Sequence, residues 1–118
     1  MNQAGHGDEA ASDTTARDIE ARLRDALRDA LKTRDLVAAF ALRSALGAIG
    51  NAGAVPEDPA GVTEVARRQL GPADLQEIVG AEISEREITA GQYEAAGHAD
   101  RAERLRREAQ ILRAVLES

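Results

Sequence analysis

The chain has 118 residues, which is room for one domain with a modest core. Aromatic residues make up only 2% of it and cysteine is absent, which excludes disulfides, thiolate catalysis and thiolate zinc sites. A formal net charge of −6 argues against indiscriminate binding of nucleic acid, although it permits a local basic face.

The start of the chain predicts a disordered tail followed by a helix. Residues 1–16 are small and polar with no hydrophobic period, and we expect them to precede a single helical domain over residues 17–118. Asp13 or Thr15 can cap the first helix. Apolar side chains then recur at helical spacing over residues 19–31, which is typical of an amphipathic helix.

Residues 36–52 predict a second helix that is apolar nearly all round. Such a helix belongs in the middle of a protein, covered on several sides, so we expect Phe40 to fill space in the core. The connection before this helix is short, so the first two helices should form an antiparallel hairpin. Asp35 is placed to cap the second helix, and Gly50 and Gly53 can end it.

Arg43 is the one charged residue of this apolar helix. A guanidinium that enters a core must be paired, because isolated burial is costly and arginine does not neutralise by losing a proton. The sequence therefore predicts a buried structural charge at Arg43, with a carboxylate partner from a later helix. The candidate partners are Glu85, Glu87 and Glu108. The alternative is an exposed strip on which the stem of Arg43 covers apolar surface.

The next segment predicts a loop and then an acidic helix. Residues 54–71 contain two prolines and predict an irregular connection. The third helix should begin at Pro72 with Gly71 as its cap. Its carboxylates raise the question of metal or acid–base chemistry, but no histidine accompanies them, so we interpret them as a solvated face. Glu82 and Arg86 are spaced to form an ion pair within this helix.

The last segment predicts a fourth helix. Gly97 supplies the left-handed residue that ends the third helix. Asp100 and Glu103 then form a capping box or an acidic first turn. Apolar residues repeat at helical spacing from Ala102 to Leu116. The four segments together predict an all-α fold, a four-helix antiparallel bundle built around the central apolar helix at residues 36–52.

Three stretches carry a more specific signal. They are A-L-K-T-R-D followed by A-L-R-S-A-L-G-A-I-G-N-A within residues 30–52, E-I-S-E-R-E at residues 82–87, and Y-E-A-A-G-H-A-D-R-A-E-R-L-R-R-E-A-Q-I-L at residues 93–112. In order and spacing they resemble the YqeY-like proteins, whose domain also forms the C-terminal part of the B subunit of glutamyl/aspartyl-tRNA amidotransferase. The resemblance covers Ile19 to Leu116 and implies an all-helical fold.

The same resemblance bears on function. In the amidotransferase subunit a small helical tail domain follows and is implicated in gripping tRNA, and we expect that domain to be absent here. The resemblance brings no catalytic residue, so an amidotransferase-type carbon–nitrogen ligase, with glutamine as the amido donor, would rest on domain analogy alone. We therefore expect a non-catalytic accessory module, with no cofactor and no metal.

Two classes of partner are open. One is tRNA, held on a basic helical face; the other is a protein, held by a small helical adaptor. The candidate RNA- or partner-binding residues are Arg24, Arg28, Lys32 and Arg34 of the first helix and Arg101, Arg104 and Arg107 of the fourth.

We expect any tRNA binding by the chain alone to be weak, because most of these arginines have an acidic neighbour at helical spacing. The pairs predicted on the fourth helix are Glu103 with Arg107, Arg104 with Glu108, and Arg113 with Glu117. The apolar run over residues 36–42 is too short to span a bilayer, so we expect a cytoplasmic protein without a membrane partner.

Overall fold

The computed structural model describes the backbone of residues 3–54 and 69–118, and the side chains of these ranges from Asp18 onward. It has four helices, α1 (Gln3–Thr33), α2 (Leu36–Gly53), α3 (Pro72–Ala95) and α4 (Ala99–Glu117). No β-strand occurs in the two described ranges, and the helices pack against one another. The predicted all-α bundle is therefore confirmed. Most of the loop predicted over residues 54–71 lies outside the described residues.

The first helix starts earlier than the sequence predicts. The backbone of α1 is helical from Gln3, so it runs through most of the segment predicted to be a tail over residues 1–16. Residues 3–33 contain no proline, so no residue blocks extension of the helix towards the N-terminus. Hydrophobic periodicity marks where a helix packs, which here is from Ile19 onward, and it does not mark where the helix begins.

The turn between α1 and α2 forms as predicted. Arg34 takes the left-handed conformation at a φ of 58°, and the amide of Asp35 donates to the carbonyl of Ala30 at 2.9 Å. The Asp35 carboxylate then accepts from the amide of Ala38 at 3.2 Å, which confirms it as the cap of α2. The result is an antiparallel α1–α2 hairpin.

The predicted limits of α3 are also confirmed. Gly71 is the N-cap and Pro72 the first helical residue, and the Asp74 carboxylate accepts from the Gly71 amide at 3.0 Å. At the other end Gly97 has a φ of 85°, which glycine adopts without a steric penalty. The amide of His98 donates back to the carbonyl of Tyr93 at 2.8 Å and closes the turn into α4.

The N-terminus of α4 matches one of the two predicted alternatives. His98 is the N-cap and its side chain makes no capping hydrogen bond, so Asp100 does not head a capping box. Asp100 lies in the first turn instead, where its charge faces the positive end of the helix dipole.

Alanine dominates the contribution of α2 to the core. Ala41 and Ala45 have no exposed surface, and Leu42 and Ile49 are buried beside them. Small side chains let helix axes approach closely, and α2 contacts each of the other three helices. It is not covered all round, however, because an exposed stripe runs along it at helical spacing. The stripe consists of Leu36, Phe40, Arg43, Gly47 and Asn51.

Among the described residues, α2 is also the one helix long and apolar enough to cross a membrane, by length and composition alone. The sequence prediction considered only the shorter run over residues 36–42. A core helix needs the same composition, and α2 supplies seven buried residues, among them Leu42 and Ile49. Its place in the bundle accounts for its buried apolar residues, whereas Leu36 and Phe40 are apolar and exposed.

Candidate functional site

Two adjoining pockets form one groove where α2 meets the α3–α4 hairpin. Their volumes are about 370 Å³ and 280 Å³, and Phe40, Leu105 and Glu108 line both of them, so the groove is continuous. We call it the central groove: Phe40 and Leu105 form its apolar wall, and the buried Arg86 and Glu108 form its floor. Its two ends are the larger pocket, which Glu85 lines, and the smaller pocket, which Arg101 lines.

The floor of the central groove is a buried charge network. Arg86 is 8% exposed and Glu108 is 2% exposed. The Nε of Arg86 donates to Oε1 of Glu108 at 2.9 Å, and its Nη1 donates to the carboxylate of Glu82 at 3.1 Å. The hydroxyl of Ser44 donates to the same Glu82 oxygen at 2.6 Å, which links α2 to this network.

The charges of this network balance, and its buried polar atoms all have hydrogen-bond partners. Nε of Arg104 lies 3.5 Å from the second carboxylate oxygen of Glu108, so two guanidinium groups face the carboxylates of Glu108 and Glu82. No buried side-chain polar atom in the described part of the chain lacks a hydrogen-bond partner. The floor therefore offers neither an uncompensated charge nor a free nucleophile, and it holds the three helices at fixed separations.

The prediction of a buried pair at Arg43 is wrong. Arg43 is exposed and makes no ion pair with any residue that the structure describes. Of its predicted partners, Glu108 pairs with Arg86 and Glu87 pairs with Arg113. The alternative in which Arg43 lies on an exposed strip is correct, because the stripe of α2 on which it lies faces solvent.

The residue that the sequence reasoning missed is Arg86. Leu75, Val79, Ile83 and Ala90 form the buried stripe of α3, and Arg86 occupies the helical position between the last two. Because Arg86 lies on the buried face of α3, its guanidinium is buried, and it contacts the carboxylate of Glu82 at 3.1 Å. The spacing is visible in the sequence, but by itself it predicts only a surface ion pair.

The basic candidates on α1 and in the turn that follows it divide into two pairs. Arg24 contacts Glu20 at 2.8 Å, and Arg28 contacts Asp25 at 3.5 Å, so their charges are offset within the helix. Lys32 and Arg34 are exposed at the corner between α1 and α2, and neither forms an ion pair within the described ranges.

Three basic candidates lie on α4, and each has a different neighbour. Arg104 pairs with Glu108, as predicted. Arg107 reaches across to the Asp35 carboxylate at 2.8 Å, and so does not form the predicted pair with Glu103. Arg101 stacks over the ring of Tyr93 at 5.6 Å and has no carboxylate partner among the described residues.

The predicted pair of Arg113 with Glu117 is likewise replaced by one between helices, because Arg113 contacts Glu87 of α3. Spacing along one helix could not reveal these contacts, because the competing carboxylate belongs to another element. The structure thus gathers Lys32, Arg34 and the paired Arg107 at the α1–α2 corner, and it places Arg101 and Arg104 in the groove.

Two large apolar side chains of α2 are exposed, Phe40 of the groove and Leu36 before it, and we call this exposed part of α2 the rim. Phe40 is 57% exposed, and Leu36, one helical turn earlier on the same face of α2, is 73% exposed. The expectation that Phe40 fills space in the core is therefore wrong. Arg43 lies at helical spacing from Phe40 on the same face of α2, but the sequence left both a buried and an exposed Arg43 open, so it did not by itself mark the solvent side.

No protein-family model, no curated protein and no solved structure matches the chain. The resemblance to the YqeY-like proteins therefore stays a prediction. Among the described residues no group of three or more histidine, aspartate or glutamate side chains is arranged to hold a metal ion. The geometry of the central groove is then the main observation that bears on function.

Proposed function

We propose that this chain is a non-catalytic helical interaction module that docks another polypeptide in its central groove. The observation that carries the proposal is Phe40, a phenyl ring 57% exposed on a rigid helix at the edge of a groove. Complete burial of a phenyl ring contributes about 1.5–3 kcal/mol, so covering the exposed part of this ring contributes a fraction of that before the costs of association. Leu105 lines both pockets with Phe40, and Leu36 is exposed one helical turn before Phe40 on the same face of α2. Apolar surface beside a groove is typical of a protein-interaction site.

The charges of the groove favour a polypeptide over a nucleic acid. Arg86 and Arg104 are both compensated by Glu108, so they hold little positive potential for a phosphate. Glu85 is an exposed carboxylate at one end and would repel a phosphate backbone. Arg101 beside Tyr93 is the one uncompensated cation that lines the described groove.

The test is a capture experiment with an RNase-treated extract and three immobilised chains: wild type, Phe40→Ser and Ile88→Ser. Ile88 is the matched control, because it is 63% exposed on α3 and does not line the groove. A protein that binds wild type and Ile88→Ser but not Phe40→Ser supports the proposal. Equal capture by all three chains contradicts it.

A second candidate function is an accessory module associated with tRNA, which the predicted YqeY-like resemblance suggests. Lys32 and Arg34 favour it, because they are exposed cations without a carboxylate partner in the described part of the chain. Two or three phosphate contacts leave affinity at the ~10⁻⁴–10⁻⁶ M of non-specific binding. Titration of labelled tRNA at two salt concentrations tests this expectation, with Lys32→Ala as the variant. Nanomolar binding that prefers one tRNA over a mixed pool would contradict the expectation of weak, non-specific binding. It would then favour the tRNA-associated module over the protein-binding module.

A further inference from the structure

The central groove carries opposite uncompensated charges at its two ends. Arg101 lies at one end, level with Tyr93, whose ring it covers. Glu85 lies at the other end, exposed, and makes no ion pair with a described residue. About two helical turns separate Glu85 from Tyr93 along α3, a distance of about 12 Å. Phe40 lines the groove between these ends, because it belongs to both of its pockets.

A surface of this kind is complementary to itself. In a two-fold contact residue i of one copy meets residue j of the other, and residue j of the first meets residue i of the second. An axis near Phe40 would bring the two phenyl rings together. It would also place Arg101 of each copy opposite Glu85 of the other, so one rotation forms two attractive pairs around an apolar centre.

We propose that the polypeptide docked in the central groove is a second copy of this chain. The two copies are related by a two-fold axis at Phe40, so their grooves run in opposite directions. This inference rests on the proposed function and names its occupant. The net charge of −6 on each copy does not forbid the contact. At physiological ionic strength charges further apart than about 8 Å are largely screened, so the repulsion between distant charges of the two copies is weakened more than the attraction between Arg101 and Glu85 in contact.

The first test is sedimentation equilibrium of the full chain over a wide range of concentration. Wild type and Ile88→Ser should rise from 12.5 kDa towards twice that mass as concentration increases. Phe40→Ser should remain at the monomer mass over the same range. Both substitutions replace an exposed apolar residue by serine on a helix surface, so a far-UV CD spectrum unchanged in either variant shows that the fold is kept.

The second test exchanges the charges. In Arg101→Glu both ends of the groove become acidic, and in Glu85→Arg both become basic, so each variant alone should dimerise about tenfold more weakly than wild type. Mixing the two variants should restore the affinity of wild type, because every pair across the axis is then attractive. A merely structural role for either residue would not be rescued by the other variant.

The outcomes separate this inference from the proposed function. Wild type that stays monomeric at the highest concentration, or a mixture no tighter than its separate variants, would overturn the second-copy assignment. The capture experiment can still show a protein other than this chain that binds wild type and Ile88→Ser but not Phe40→Ser. In that case the proposed interaction module is supported, and that protein is its partner. If neither dimerisation nor capture depends on Phe40, both proposals fail together.

Discussion

The floor and the rim of the central groove reverse the usual placement of residue types. Arg86, a charged residue from the acidic helix, is 8% exposed and hydrogen-bonded to Glu108 and Glu82. Phe40, the one phenylalanine of the chain, comes from the most apolar helix and is 57% exposed. The two residues line the same pocket.

The difference shows that position on a helix face outweighs the character of the helix as a whole. α3 is acidic overall, yet its buried stripe passes through Arg86. α2 is apolar overall, yet its stripe through Leu36, Phe40 and Arg43 faces solvent. A buried polar network keeps the floor rigid, and an exposed apolar ridge leaves the rim free to bind.

The largest expected effect comes from breaking the floor. Arg86→Ala should destabilise the protein by about 3–5 kcal/mol, because it leaves the carboxylate of Glu108 buried without its main partner. Urea denaturation of wild type and variant measures the loss. Glu108→Gln is the control, since it removes the charge but keeps an acceptor for Arg86, and it should cost less than Arg86→Ala. A loss near zero for Arg86→Ala would mean that the floor is open to water.

A second comparison uses two neighbours on α2. Leu42 is 1% exposed, so Leu42→Ala removes buried methyl groups and should cost about 2–5 kcal/mol. Phe40→Ala should change stability by about 0.5 kcal/mol or less, because most of the ring is already in water. Thermal or urea unfolding of the two variants side by side gives the contrast. Equal losses would show that the Phe40 ring is packed in the core.

The sequence was enough to predict the four-helix fold and most of the residues that begin and end its helices. Asp35 as a cap, Pro72 as a first helical residue and Gly97 in the left-handed conformation are local features, set by side chains within a few residues of one another. Local hydrogen bonds and backbone preferences require no knowledge of the tertiary structure, so they can be read in chain order.

The candidate site was not predictable in the same way. Arg107 has an acid at helical spacing on its own helix, but it contacts Asp35, which lies far away along the chain. Which face of α2 is exposed depends on how α3 and α4 cover it, and periodicity within one apolar helix does not choose a face. The arginine at position 43 marks that face only once Arg86 is known to supply the buried charge.

A substitution at the α1–α2 corner should have an intermediate effect on stability, smaller than at the floor of the groove and larger than at its rim. Asp35 caps α2 and also pairs with Arg107, so Asp35→Ala should cost about 1–2 kcal/mol. Asp35→Asn keeps a capping oxygen and loses only the ion pair, so most of the stability should return. Urea denaturation of both variants separates the two contributions. If Asp35→Asn proved as damaging as Asp35→Ala, the ion pair with Arg107 would be the larger contribution.

The smallest expected effect is at Arg43, and it tests the comparison most directly. Arg43 is exposed and forms no ion pair in the described ranges, so Arg43→Ala removes no buried hydrogen bond. Alanine also has the higher helix propensity, which offsets the loss of the apolar surface that the arginine stem covers. The free energy of unfolding should therefore change by about 0.5 kcal/mol or less in either direction. Urea denaturation, with Arg86→Ala measured in parallel, decides the matter. If Arg43→Ala lowered the free energy of unfolding as much as Arg86→Ala, both guanidinium groups would be buried. The face of α2 that carries Arg43 would then not be the exposed one.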